Sequence, residues 1–196
     1  MPRVKRTVFD SAIYHILNRG HDRQKLLRDG GDFEVFKAII ARYKIKFQFD
    51  VYHYCFMPNH FHILLKIIKG SELSSIMKGI CQSYAFYYKK KYDFVGYVFQ
   101  NRYKSILIEE DGYLMECGRY IERNPVRAGL VDDPAKYHWS SYNFYAKSAL
   151  DGIITPDPLY EEFASVNADR VIKYVEYVAK SRPYEQLLDE KLSELK

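Results

Sequence analysis

Residues 49–68 read FDVYHYCFMPNHFHILLKII. Two runs rich in β-branched and aromatic residues flank Pro58-Asn59. Each run suits a strand, and the proline-led pair between them suits a tight turn. The segment therefore predicts a β-hairpin with strands at 49–57 and 60–68. A hairpin fixes two antiparallel neighbours, so whatever sheet the chain builds is organised around this pair.

The flanking segments supply the rest of a sheet and its helices. SAIYHILNRG, residues 11–20, alternates and ends in a turn signal, which predicts a first strand. Apolar residues at 33, 36, 39, 40 and 43 recur at helical spacing, with Asp32 as the expected N-cap. A second helix is expected over 71–92, capped by Ser71, and a fourth strand over 103–110. A helix from Asp111 is expected to stop at Asn124, because Pro125 follows. The order β-α-β-β-α-β is the split βαβ, ferredoxin-like pattern of an α+β protein. It predicts an antiparallel sheet with helices on one face. Residues 1–150 read as the main domain and 151–196 as a helical C-terminal extension, with helices near 168–180 and 184–195. TPDPLYEEF carries two prolines and is expected at the domain edge.

No apolar run reaches the roughly 18 residues of a membrane span. The basic N-terminus has no apolar stretch behind it, so no secretory signal is read there. Cys55, Cys81 and Cys117 lie far apart without metal-finger spacing, which suits reduced core thiols in the cytoplasm. The net charge of +5 permits a nucleic-acid partner without demanding one.

Strand side chains alternate, so His60 and His62 share one face. Neutral imidazoles so placed are a ready pair of metal ligands, and a half-exposed strand edge accounts for them equally. Tyr120 and Asn124 lie one helical turn apart. A phenol oxygen is a potential nucleophile toward phosphorus, and an amide oxygen one turn on can join a metal's shell. A packed aromatic and a helix-terminal amide explain the pair as well. Glu116 and Glu122 read as acid/base or ligand candidates, or as a solvated helix face. His15, His21, His53 and His138 have no partner at ligand spacing and read as structural or DNA-adjacent.

MPNHFHILLK, then VFQNRYKSILIEEDGYLMECGRYIERNPVRAGLV, then YHWSSY, taken together, resemble the REP-associated tyrosine transposases. These belong to the wider HUH single-strand DNA transposases and nucleases with one catalytic tyrosine. The likeness runs from about Ile13 to Tyr145. It implies a ferredoxin-like fold and a divalent metal, Mg2+ or Mn2+, held by His60, His62 and Asn124. It implies Tyr120 as nucleophile, forming a 5′-phosphotyrosine and freeing a 3′-hydroxyl. Tyr113 is the rival nucleophile, but position 117 is a cysteine where an amide would be expected. The implied substrate is single-stranded DNA at hairpin-forming repeats, and the implied state is monomer or homodimer.

Residues 84–104 carry Lys89, Lys90, Lys91, Arg102 and Lys104 against Asp93, interleaved with aromatics. That composition suits tracking a backbone and stacking bases. Arg19 and Arg23 follow the first strand, Arg127 follows the tyrosine helix, and Arg3, Lys5 and Arg6 form a basic arm. The alternatives are a catalytically silent DNA-binding protein of the same fold and a relaxase-like or replication-initiator-like nickase. A hydrolase using the two histidines to activate water leaves Tyr120 without a role.

Overall fold

The computed structural model describes residues 8–109 and 111–180. The basic arm at 3–6 and the helix expected at 184–195 lie outside these residues. Four strands form one antiparallel sheet in the order β2-β3-β1-β4. They are β1 (Ile13–Arg19), β2 (Asp50–Phe56), β3 (His60–Lys66) and β4 (Lys104–Ile108). The helices are α1 (Gly30–Phe47), α2 (Leu73–Tyr92), α3 (Asp111–Arg127), α4 (Tyr142–Lys147) and α5 (Asn167–Ala179). The element order is that of the expected split βαβ, and the expected α+β class holds.

Helices lie on both faces of this sheet rather than one. On one face Phe61, Ile63 and Leu65 of β3 pack with Phe36 of α1 and with Ile80 and Tyr84 of α2. Phe36 meets Phe61 and Tyr84 with both ring centroids 5.0 Å away. On the other face Leu64 and Cys55 pack against Leu114, Cys117, Tyr120 and Ile121 of α3. The physical reason is visible in β3, whose five central residues are all buried. A strand buried on both faces reads as a continuous apolar run, not an alternating one.

Three helix ends differ from expectation. Asp29, not Asp32, caps α1, accepting from the Asp32 amide at 3.0 Å. Asp32 is instead buried, accepting from Lys91, Tyr87 and Tyr92 of α2. Ser71 lies in a short 3-10 turn before α2 and caps nothing. Pro125 sits inside α3, which continues to Arg127. A proline in the last turn removes only one intrahelical bond, and the Ala128 and Leu130 amides close the end on Asn124 and Pro125 carbonyls at 2.9 Å.

The chain after α3 returns to the sheet. The Phe56 amide donates to Trp139 O at 2.8 Å, and the Ser141 amide to Tyr54 O at 2.9 Å. The YHWSSY stretch thus covers the free edge of β2. Ile153, Tyr160, Tyr174 and Val178 join the same buried cluster as α1 and α2. The three cysteines are free. No helix among the described residues is long and apolar enough to cross a membrane.

One buried polar hub locks α3 to the sheet. His53 of β2 is 1% exposed and lies between two carboxylates. Its Nδ1 is 2.9 Å from Glu122 Oε1 and its Nε2 is 3.1 Å from Asp157 Oδ2. Glu122 also accepts from Ser141 Oγ at 2.6 Å and from Tyr174 OH at 2.7 Å. The expectation of a solvated face therefore fails for Glu122, which is 0% exposed. Asp157 of the two-proline TPDPL stretch is likewise buried, beside His53. Gly118 completes the fit: a Cβ there would sit 2.7 Å from His53 Nε2.

The hub makes stability depend on pH. Burial opposes charge on His53, but Asp157 and Glu122 outweigh it and raise the pKa from 6.5 to about 9. A raised folded-state pKa stabilises fully below the unfolded value and ceases to do so above the folded one. Stability should therefore fall by on the order of 3 kcal/mol as pH rises through 6.5 to 9. Urea unfolding midpoints across that range measure it. A flat profile would show that His53 carries no charge in the folded protein.

Candidate metal and nucleic-acid site

The contact between β3 and α3 gathers most of the residues singled out from the sequence. His60 and His62 stand on the α3 side of β3, their ring centroids 5.1 Å apart and their planes at 88°. Asn124 reaches them from α3, with Oδ1 3.4 Å from His60 Nε2. The Tyr120 ring packs edge-on against His62, 5.9 Å between centroids. Helical spacing puts Tyr120 and Asn124 on one face of α3, and the buried hub on the opposite face sets that rotation.

The donor set suits a cation. His60 Nδ1 lies 2.7 Å from Asn59 Oδ1, an acceptor, so the ring proton sits on Nδ1. The lone pair of His60 Nε2 then faces the oxygen of Asn124, with no proton between two acceptors. A cation placed between them would offset the repulsion of the two lone pairs. Burial lowers the pKa of His60 below the usual histidine value, with Asn124 working against it and Arg19 with it. Burial lowers that of His62 further, reinforced by His60, His15 and Arg127. Neutral imidazoles are the form that ligates a metal. Among the described residues no group of three or more His, Cys, Asp or Glu side chains is placed to hold a metal ion, so the candidate set here is two histidines and an amide.

Cations flank this contact. Arg127 lies over the Tyr120 ring, 4.8 Å from its centroid. Arg19 pairs with His60 across the β1–β3 register, and its Nε donates to Gln100 Oε1 at 2.5 Å. Lys104 faces Leu17, which in turn faces His62, so register puts Lys104 on the same side of the sheet. Positive charge on this rim attracts a phosphate backbone.

Other candidates lie elsewhere. Arg23 is exposed on the 3-10 turn after β1, and Lys89 and Lys90 are exposed at the end of α2. Lys91 is engaged by Asp29 and Asp32, each at 2.7 Å, and ties α2 to the start of α1. Arg102 lines a cavity of about 420 Å3 with Asn18, Lys78, Gln82 and Phe99, between α2 and the loop before β4. Tyr113 packs at the margin of the β2–α3 cluster, and burial raises its pKa to about 12. Glu116 holds Arg119 and Tyr177.

One residue that reads from the sequence as structural or DNA-adjacent, without a partner, has one here. His15 of β1 is fully buried, and its Nε2 lies 2.9 Å from His62 Nδ1. Its ring also meets Tyr120 edge-on at 6.2 Å. Burial lowers its pKa to about 3, so it is neutral at any working pH. Only the β1–β3 register, which is a long-range pairing, brings it there.

Comparison with known proteins gives the chain a family and a shared fold. The family described as "Transposase IS200 like" matches residues 8–124. A solved structure of the REP-associated tyrosine transposase bound to a REP hairpin superposes with a TM-score of 0.65. It is 18% identical, with 80% of this chain and 93% of that chain covered, a likeness of fold. A proposed transposase from Deinococcus radiodurans R1 has a TM-score of 0.44 and 16% identity, covering 63% of this chain and 97% of that one. Among curated proteins, none matches.

Proposed function

This chain belongs to the IS200-like transposases, and from that membership we propose that it cuts and rejoins single-stranded DNA through Tyr120. The observation that carries the reading is the convergence of Tyr120, His60, His62 and Asn124 at one contact. His60, His62 and Asn124 are the proposed ligands of a divalent ion, Mg2+ or Mn2+. Such an ion, when bound, neutralises charge on the scissile phosphate and orients it.

The protein's own residues do the rest. The Tyr120 oxygen forms a bond to phosphorus while the bond from phosphorus to the 3′-oxygen breaks. The phenol loses its proton and the departing 3′-oxygen gains one, so the step is proton-neutral overall. The product is a 5′-phosphotyrosine beside a free 3′-hydroxyl. Reversal with another 3′-hydroxyl rejoins strands, and phenolate leaves readily because a phenol is far more acidic than a sugar hydroxyl. Arg127 and Arg19 hold the flanking phosphates, with Lys104 on the same side. Arg23, Lys89, Lys90 and Arg102 extend the track, while Lys91 serves the α1–α2 contact first. Residues 1–150 form the catalytic unit, and the chain from 151 braces it. Hairpin-forming single-stranded DNA is the proposed substrate; the superposed transposase was solved with a REP hairpin.

The test is adduct formation on 3′-labelled hairpin DNA, resolved on a denaturing gel. A protein-linked band should appear with Mn2+ and disappear with chelator. His60→Ala and His62→Ala should each lower its yield roughly a hundredfold or more. A band of full strength in chelator would remove the metal from the scheme.

A further inference from the structure

His15 and His62 meet nitrogen to nitrogen, Nε2 to Nδ1, at 2.9 Å. A contact of this kind holds one proton, and either ring can own it. The choice decides what His62 presents to the proposed ion. If His62 donates from Nδ1, its Nε2 is a bare lone pair. If His15 donates instead, a neutral His62 carries its proton on Nε2, and that nitrogen is closed to a cation.

The two arrangements are not equivalent for His15. Its Nδ1 is buried and has no hydrogen-bond partner. When His62 donates, a neutral His15 must keep its proton on that partnerless nitrogen. An orphaned N–H in the interior is a costly arrangement. When His15 donates, Nδ1 is merely bare. His60 has no such conflict, because Asn59 holds its proton on Nδ1 in either case.

Resting on the metal reading above, we infer that His15 is a positioning residue that sets which nitrogen of His62 faces the ion. Without a cation the pair rests with His15 as donor and His62 closed. With a cation His62 becomes the donor and opens. The exchange balances: the proton on His15 Nε2 crosses to His62 Nδ1, the proton on His62 Nε2 leaves to solvent, and His15 Nδ1 takes one up. No net proton is released. Metal binding therefore works against the orphaned N–H, which keeps affinity lower than that of two freely presented imidazoles. His15 still holds the ring of His62 in place, so the site is oriented but restrained. Outer partners of ligating histidines act in this way, fixing tautomer and ring orientation.

Two measurements on the full chain test this. Two-bond nitrogen–proton correlation spectra report which nitrogen of His62 carries the proton. They should show Nε2–H in metal-free protein and Nδ1–H after Mg2+ is added. Mn2+ affinity, read by electron paramagnetic resonance, should weaken roughly 10- to 100-fold in His15→Leu. It should return to within a few-fold in His15→Gln, whose amide oxygen accepts from His62 Nδ1. If His62→Ala loses Mn2+ while His15→Leu binds it as wild type does, the inference fails and the metal reading stands. If His62→Ala also binds Mn2+ normally, both fall. Should His15→Leu fail to fold, the wild-type spectra decide alone: Nδ1–H already present without metal overturns the inference.

Discussion

Tyr120→Phe should abolish the protein–DNA adduct, lowering strand cleavage by at least roughly a thousandfold. Hairpin affinity should stay within a few-fold of wild type. The substitution removes one oxygen and keeps the ring that packs against His62 and His15. The loss to stability should therefore be about 1 kcal/mol or less. Tyr113→Phe is the matched control, because Tyr113 sits at the margin of the β2–α3 cluster and should leave the adduct intact. Denaturing gels with 3′-labelled hairpin DNA and Mn2+ read both variants. An adduct that survives Tyr120→Phe and vanishes with Tyr113→Phe would move the chemistry two turns along α3. An adduct that survives both would remove tyrosine from the mechanism.

Glu122→Ala should be strongly destabilising, at about 3–5 kcal/mol. The carboxylate is fully buried, and three partners depend on it: His53, Ser141 and Tyr174. Its removal leaves His53 with one carboxylate instead of two and leaves two hydroxyls with a lost acceptor. For a chain of this size that corresponds to a fall in melting temperature of about 10 °C or more. Glu122→Gln keeps the shape and some of the bonds, so it should recover part of the loss. Urea unfolding at pH 7 separates the three proteins. Equal midpoints for wild type and Glu122→Ala would mean that the hub adds nothing to the fold.

The sheet and its helices were legible because their signals are local. The alternation in β1, the Pro58-Asn59 turn and the helical spacing of Phe33, Phe36, Ile39 and Ile40 each need only a short window. The neighbourhood of His60, His62, Tyr120 and Asn124 was legible for a related reason. Spacing of two on a strand and four on a helix fixes each pair, and family resemblance joins the pairs.

What was missed rests on contacts between distant residues. His15 lies 47 residues from His62, and His53 lies 69 from Glu122 and 104 from Asp157. No local pattern announces such partners, so the lone histidines read as structural or DNA-adjacent and Glu122 as a candidate acid, base or ligand or a solvated face, not as parts of a buried hub. By composition Lys91 belongs with Lys89 and Lys90 in one cationic run, yet Asp32, 59 residues earlier, sets it apart. Asp32 looked like a helix cap because capping residues are short and acidic, but Asp29 sits at the actual boundary. Pro125 misled because the rule against proline concerns helix interiors, and this one lies in a final turn.

The hub also sets an order of events during synthesis. Glu122 is made well before Asp157 and Tyr174, which stand 35 and 52 residues later in the sequence. A nascent chain that has emerged only as far as α4 holds every proposed catalytic side chain. It lacks the carboxylate and the hydroxyl that complete the hub behind them. Until α5 emerges, α3 carries a carboxylate without all of its partners, and its rotation over the sheet is less firmly held. The proposed site therefore takes its final shape only after Tyr174 has joined the hub, so its residues are all present before they are held in place.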